Sequence, residues 1–256
     1  MKPIITSCIS VLLFASSAFA ADNAAFAASE AKIEKATQVG VAEIVTAEAA
    51  QIDHDLAAAP GDPALIYFRA YAHFAEGCVA RAHKDKAGAA QHMEAAVKLL
   101  EQMNNPAWQA EACGLQGYVL NQLIGVKGMG IAMENGPKSS ALLAQAGGMA
   151  PENPRILFFR GVSLVTTPEQ WGGDLAQGTK LLEQAEASFE HPAKNAMVHW
   201  GHGESLVWLG IAKQKAGDIG AARAAWQKAL GLEQNYSWVK YVLLPSLEKS
   251  TEPSAK

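Results

Sequence analysis

The chain has 256 residues, is half apolar by composition and carries a formal net charge of −4 with seven histidines counted neutral. That length can bury a sizeable core in one domain or one array. The mild acidity, with no long run of one sign, argues against a nucleic-acid or acidic-membrane partner.

The N-terminus reads Met1-Lys2, then an apolar core at Val11, Leu12, Leu13 and Phe14, then Ala18-Phe19-Ala20. A charged start, a short apolar core and an A-x-A-like end predict a secretory signal peptide over residues 1–20 and a periplasmic or secreted product. Cys8 precedes most of the apolar core, so no lipid anchor is read. No later segment is long and apolar enough to span a membrane. Cys78 and Cys113 remain in the mature chain. They sit at different heights on helices expected to run parallel, which predicts free thiols.

Ser29 to about Ala58 reads as one long amphipathic helix. Ile33, Val41, Ile44, Val45, Ala49, Ile52 and Leu56 recur mostly three or four apart. Residues 21–61 are thus expected to form an N-terminal capping helix. Within it Asp53, His54 and Asp55 read as a solvated face, because helix neighbours two apart point away from each other.

Three punctuation marks follow: Asp62-Pro63-Ala64, Asn105-Pro106-Ala107 and Asn153-Pro154-Arg155. Each joins a good N-cap residue to proline at the first helical position. The prolines are 43 and 48 residues apart, and a fourth start falls near Trp200. Such a period predicts a repeat array over 62–248, in units of about 62–104, 105–152, 153–198 and 199–248. A disordered tail is expected over 249–256.

Each unit reads as two helices. In the last, Leu206, Leu209 and Gly210 fall on the first helix and Ala222, Trp226 and Ala229 on the second, with Gly217-Asp218 between. This resembles the tetratricopeptide repeat, which implies an all-α solenoid of about four helical hairpins. Lys213 and Gln234 depart from the pattern, standing where an aromatic and a proline are usual. The third unit matches with Gly161, Gly178, Leu182 and Ala185, and the second with Gly117, Ser139, Leu143 and Ala146. The first is vaguer, with Ala89, Met93 and Ala96 on its second helix. In the third unit Thr-Pro-Glu-Gln-Trp-Gly-Gly is an inserted turn, and Asp174 with Gln177 is an N-cap pair for the next helix. Tyr236 to Leu247 reads as a short C-terminal capping helix.

Gly136-Pro137-Lys138, Pro151 to Arg155, Trp171-Gly172-Gly173-Asp174 and Trp238 to Pro245 resemble a family of exported bacterial tetratricopeptide-repeat proteins without assigned activity. The Gly-Gly-Asp turn is also similar to one in the T component associated with TRAP-type transporters, a periplasmic helical-repeat protein.

No elbow, phosphate loop, zinc-protease, redox or calcium motif is present in the sequence, and no enzyme activity or cofactor is expected. Gly125-Val126-Lys127-Gly128-Met129-Gly130 follows a helix and reads as a flexible turn. His191, His199 and His202 are weak metal candidates, since the last two share a helix face. Their plain reading is hydrogen bonding at a helix entry. Trp108, Trp200, Trp208 and Trp226 fall at helical positions and read as core. Trp171, in the glycine turn, either covers the hairpin or meets a ligand.

In such arrays the first helices line a concave surface. That places Arg155, Phe158, Val162 and Val165 of the third unit, and Glu204, Val207, Ile211 and Gln214 of the fourth, in a groove. The expected function is an exported, non-catalytic scaffold or adaptor that takes a protein or peptide segment there. The alternative is a periplasmic transporter accessory that holds a small ligand.

Overall fold

The computed structural model describes residues 26–193 and 196–249. Residues 1–20, where a signal peptide is expected, and residues 250–256 of the tail expected over 249–256 lie outside the described residues. Helix α1 spans 26–39. Next come α2 (Ala42–Ala58), α3 (Pro63–Ala82), α4 (Lys86–Glu101), α5 (Gln109–Lys127) and α6 (Ala132–Met149). The rest are α7 (Pro154–Thr166), α8 (Leu175–Glu190), α9 (His202–Lys215), α10 (Ile219–Leu232) and α11 (Leu244–Lys249). Among the described residues there is no strand. The molecule is an all-α helical solenoid.

Four hairpins, α3/α4, α5/α6, α7/α8 and α9/α10, stack in chain order. The first helices also touch one another, α3 to α5, α5 to α7 and α7 to α9, and so form a continuous inner layer. One glycine per unit sets the hairpin spacing. A Cβ on Gly117 would stand 2.8 Å from Cγ of Leu143, and one on Gly161 would stand 2.8 Å from Cγ of Leu182. On Gly210 it would collide with the Trp226 indole. The first unit has the same device at the same spacing: Gly77 faces Met93, whose Cγ would lie 3.0 Å from an added Cβ. The missing Cβ lets one large side chain of the second helix press onto the backbone of the first.

The caps explain the hairpin starts. The Asp62 carboxylate accepts from the backbone N–H groups of Ala64 and Leu65, and the Asn153 amide oxygen from those of Arg155 and Ile156. Asn105 acts differently from the reading of its sequence. It accepts from Ala107 N–H at 3.0 Å within a turn, and α5 begins only at Gln109.

Three further expectations are corrected. The long N-terminal helix is two helices, because Gly40 takes a left-handed φ of +81°. The N–H groups of Gly40 and Val41 both bond to the Ala36 carbonyl, a Schellman stop. The C-terminal cap is not a plain α-helix but a π-helical turn, Val239–Leu243, leading into α11. Its buried Tyr236, Val239, Leu243 and Leu247 pack on Leu206, Val207, Trp226 and Ala229, covering the last unit. Trp200 is not on a helix; it lies in the segment before α9.

Candidate functional site

The break at Gly40 decides the interior. Turned at Gly40, α1 lies across the inner layer and bridges both ends of the array, while Lys32 still pairs with Glu48 of α2 at 2.7 Å. Phe26 stacks on Phe68 of α3 with ring centroids 5.0 Å apart. Farther along, the Glu30 carboxylate accepts from His199 N–H at 2.7 Å and Trp200 N–H at 3.2 Å. Glu34 accepts from Gly201 N–H at 3.0 Å. Lys35 pairs with Glu233, and the Ser237 hydroxyl donates to the Val39 carbonyl at 3.0 Å. The α9 N-cap residue, Gly201, has no side chain to offer. Two carboxyl groups from α1 serve the backbone donors that lead into that helix, a substitute for local capping.

Trp200 fills the middle of the inner face. Its ring stacks on Tyr71 at 4.2 Å and lies 5.7 Å from Phe159, which stacks on Tyr118 at 4.6 Å. The expected groove is therefore occupied by the chain itself. Arg155, Phe158, Val162, Val165 and Val207 are all buried. Phe158 packs on Tyr118 and Phe159. Arg155 forms an ion pair with Glu111, which also accepts from Asn153 at 2.7 Å and from the Tyr67 hydroxyl at 3.4 Å. Burial pushes the Glu111 carboxyl up, but the Arg155 charge and these hydrogen bonds outweigh it and hold it below the usual carboxylate range. Ile211 packs against the C-terminal cluster, and Gln214 donates to the Ser246 hydroxyl at 3.4 Å. These side chains form no open concave surface, since α1, Trp200 and the C-terminal segment cover the helices that carry them.

What the covering leaves is a cavity of about 660 Å³ between α1, α3, α9 and the residues after α10. Tyr71 and Phe74 come from α3, Trp200 and Trp208 from the α9 side, and Tyr236, Trp238 and Tyr241 from the C-terminal segment. Trp208 and Trp238 meet edge to face at 6.1 Å. The polar lining is sparse: Glu34, Thr37 and Gln38 from α1, Arg81 at the end of α3, Glu204 from α9 and Ser237 after α10. Arg81 donates to the Gln122 side chain at 2.9 Å, and Glu204 accepts from the Tyr118 hydroxyl at 2.7 Å. Of the predicted groove residues, only Glu204 lines this cavity.

The wall is electrostatically unusual. Burial, reinforced by Glu30 and Glu204, pushes the Glu34 carboxyl up to about 7, against the lowering effect of the Gly201 hydrogen bond and of His202. Burial also raises Glu204, with Tyr118 and Arg81 pulling the other way. The Cys78 thiol is pushed up to about 12 by burial. Cys78 and Cys113 are both free. The buried indole N–H groups of Trp200 and Trp208 lack a hydrogen-bond partner of good geometry in the protein. Such a wall offers aromatic faces, neutral or weakly acidic hydrogen-bonding groups and one cation.

The inserted turn lies elsewhere. Glu169–Trp171 is a single 3₁₀ turn, and Gly172 is left-handed at φ +91°. A Cβ on Gly173 would collide with the Thr167 carbonyl, and Asp174 caps α8 through Gln177 N–H at 2.9 Å. Trp171 is 55% exposed, so it does not serve to cover the hairpin. The predicted histidine trio is dispersed. His199 faces Glu30, His202 bonds to Glu186 at 2.9 Å and stacks on Phe189, and His191 ends α8. Sequence reasoning missed Glu34, Tyr71 and Tyr236: an acidic residue on a helix reads as solvated, aromatic residues read as packing, and none gives sign of a hollow.

No family model and no curated protein matches this chain. Among solved structures it is similar to the HusA haemophore from Porphyromonas gingivalis. The TM-score is 0.56 at 22% identity, covering 73% of this chain and 94% of that one. At this identity the likeness is one of fold.

Proposed function

We propose that this is an exported, non-catalytic binding protein that holds a small, flat, largely apolar ligand in the cavity under α1. The aromatic wall carries the reading. Seven aromatic rings and a few polar groups around about 660 Å³ match the composition and size of small-molecule sites. Arg81 can meet an anionic edge of the ligand. Glu34, its carboxyl raised to about 7, can donate to its oxygens when protonated. The structural neighbour is described as a haemophore. A porphyrin, flat and apolar with carboxylates on one edge, is the ligand class this wall suits. Closure of the inner face by α1 and Trp200 favours this over capture of a peptide segment. It agrees with the small-ligand role that the transporter-accessory resemblance implied.

The cavity lining contains no histidine or methionine, and burial keeps the Cys78 thiol and the Tyr71 and Tyr236 hydroxyls protonated, so recognition is assigned chiefly to the ring system. Titrating the mature protein with haemin and with metal-free protoporphyrin IX, read by tryptophan quenching, should give saturable one-to-one binding of both. Thr37→Trp, which fills the cavity from α1, should weaken both at least tenfold with an unchanged circular dichroism spectrum. Unchanged affinity in that folded variant, or no binding by the parent protein, would exclude this ligand and place.

A further inference from the structure

A second constellation lies on the face of α3 turned away from the cavity. Tyr71, Phe74, Ala75 and Cys78 line the cavity; His73 and Glu76, one turn apart, point towards α4 and meet His92 there. The Glu76 Oε2 atom is 3.0 Å from His73 Nδ1 and 3.1 Å from His92 Nδ1. The two Nδ1 atoms are 3.4 Å apart. Among the described residues, this is the trio of metal-ligating side chains whose ligand atoms converge.

The triangle has the size of a coordination sphere. Zinc bonds to histidine nitrogen and carboxylate oxygen are about 2.0–2.2 Å, which spaces tetrahedral ligand atoms roughly 3.3–3.6 Å apart. Adjustments of a few tenths of an ångström would seat one ion. Hydrogen bonding alone serves the trio poorly. Arg69 also donates to Glu76 Oε2 at 3.2 Å, so three nitrogens crowd one oxygen. A carboxylate oxygen has about two lone-pair sites. At least one Nδ1 then turns a lone pair inward, where the N–H of the other histidine stands at a long 3.4 Å. A cation between them would serve all three ligand atoms.

The surroundings suit a site. Arg69 also binds Asp53 at 2.7 Å, so Asp53, Arg69 and Glu76 form a chain that fixes the carboxylate, as outer partners commonly do for metal ligands. With neutral histidines the group keeps one net negative charge. Side-chain exposure rises from 12% at Glu76 to 37% at His92, leaving solvent a way to a fourth position.

We propose that His73, Glu76 and His92 bind one divalent transition-metal ion of the zinc class, with water as the remaining ligand, pinning α3 to α4. The site is independent of the porphyrin reading and lies on the opposite face of α3.

The test uses the untagged mature chain, stripped with chelator and titrated calorimetrically with zinc chloride in the absence of any porphyrin. About one equivalent should bind, and the thermal midpoint should rise with zinc concentration. Loss of an outer partner alone typically costs 10–100-fold in affinity, so His92→Ala and Glu76→Gln should each lose at least about 100-fold. His199→Ala, His202→Ala and the cavity-filling Thr37→Trp should bind zinc as the parent does. Because His92 is partly exposed, its variant should keep the parent circular dichroism spectrum, and Glu76→Gln gives a second, near-isosteric reading. No binding by the parent at micromolar zinc overturns the site. So does affinity within threefold of the parent in both variants.

Discussion

The Tyr118 hydroxyl donates to the Glu204 carboxyl across 2.7 Å, tying α5 to α9 although 86 residues separate them. Both groups are pushed up by burial, and the bond is what most offsets that cost at Glu204. Tyr118→Phe leaves the carboxyl without its main donor. A loss of about 1–2 kcal/mol in urea unfolding is expected. A neutral result would mean that water replaces the hydroxyl.

Arg155 and Glu111 are a buried pair between α7 and α5. Removing one partner of such a pair strands a charge, which typically costs about 3–5 kcal/mol. Arg155→Met should therefore lower stability by that order. Combining it with Glu111→Leu should recover most of the loss, since no charge is left unpaired. Chemical denaturation of the three variants checks this. If the single variant stays as stable as the parent, the pair is not closed to solvent.

At the inserted turn, Asp174→Ala removes an N-cap acceptor. The expected cost is about 1 kcal/mol, seen as a lower thermal midpoint. Porphyrin affinity should stay the same, because the cavity lies elsewhere. Weaker binding at unchanged stability would instead make this turn a ligand contact.

Glu34 supplies a pH dependence. Its folded-state value of about 7 lies above the ordinary 4.5, so between those values the native state binds more proton than the unfolded chain. Stability contributed by this group is then present at about pH 4.5 and lost as pH rises to about 7, after which it is flat. The difference between the parent and Glu34→Gln isolates it from carboxyls such as Glu111, held low, whose contribution is lost below about pH 4.5. The parent should lose on the order of 1–3 kcal/mol relative to the variant over that window. A constant difference from pH 4.5 to 7 would show that Glu34 titrates normally.

The repeat array is written in local signals. Helical periodicity, the Asp62-Pro63 and Asn153-Pro154 starts, and small residues opposite Leu143, Leu182 and Trp226 are local signals, and the hairpins follow them. Gly77 opposite Met93 has the spacing of Gly210 and Trp226, but the reading of the first unit passed over it. What occupies the inner face depends on contacts between distant parts of the chain. An apolar residue on an inner helix looks the same whether it faces an open groove or another part of the chain, so Phe158 and Val207 gave no sign of being covered. The outcome turned on one left-handed glycine, Gly40, which sends α1 back across the array to meet backbone donors 167–170 residues away. Residues so far apart in the chain have no periodicity in common. The cavity and its raised carboxyl therefore exist only after the ends of the solenoid have met.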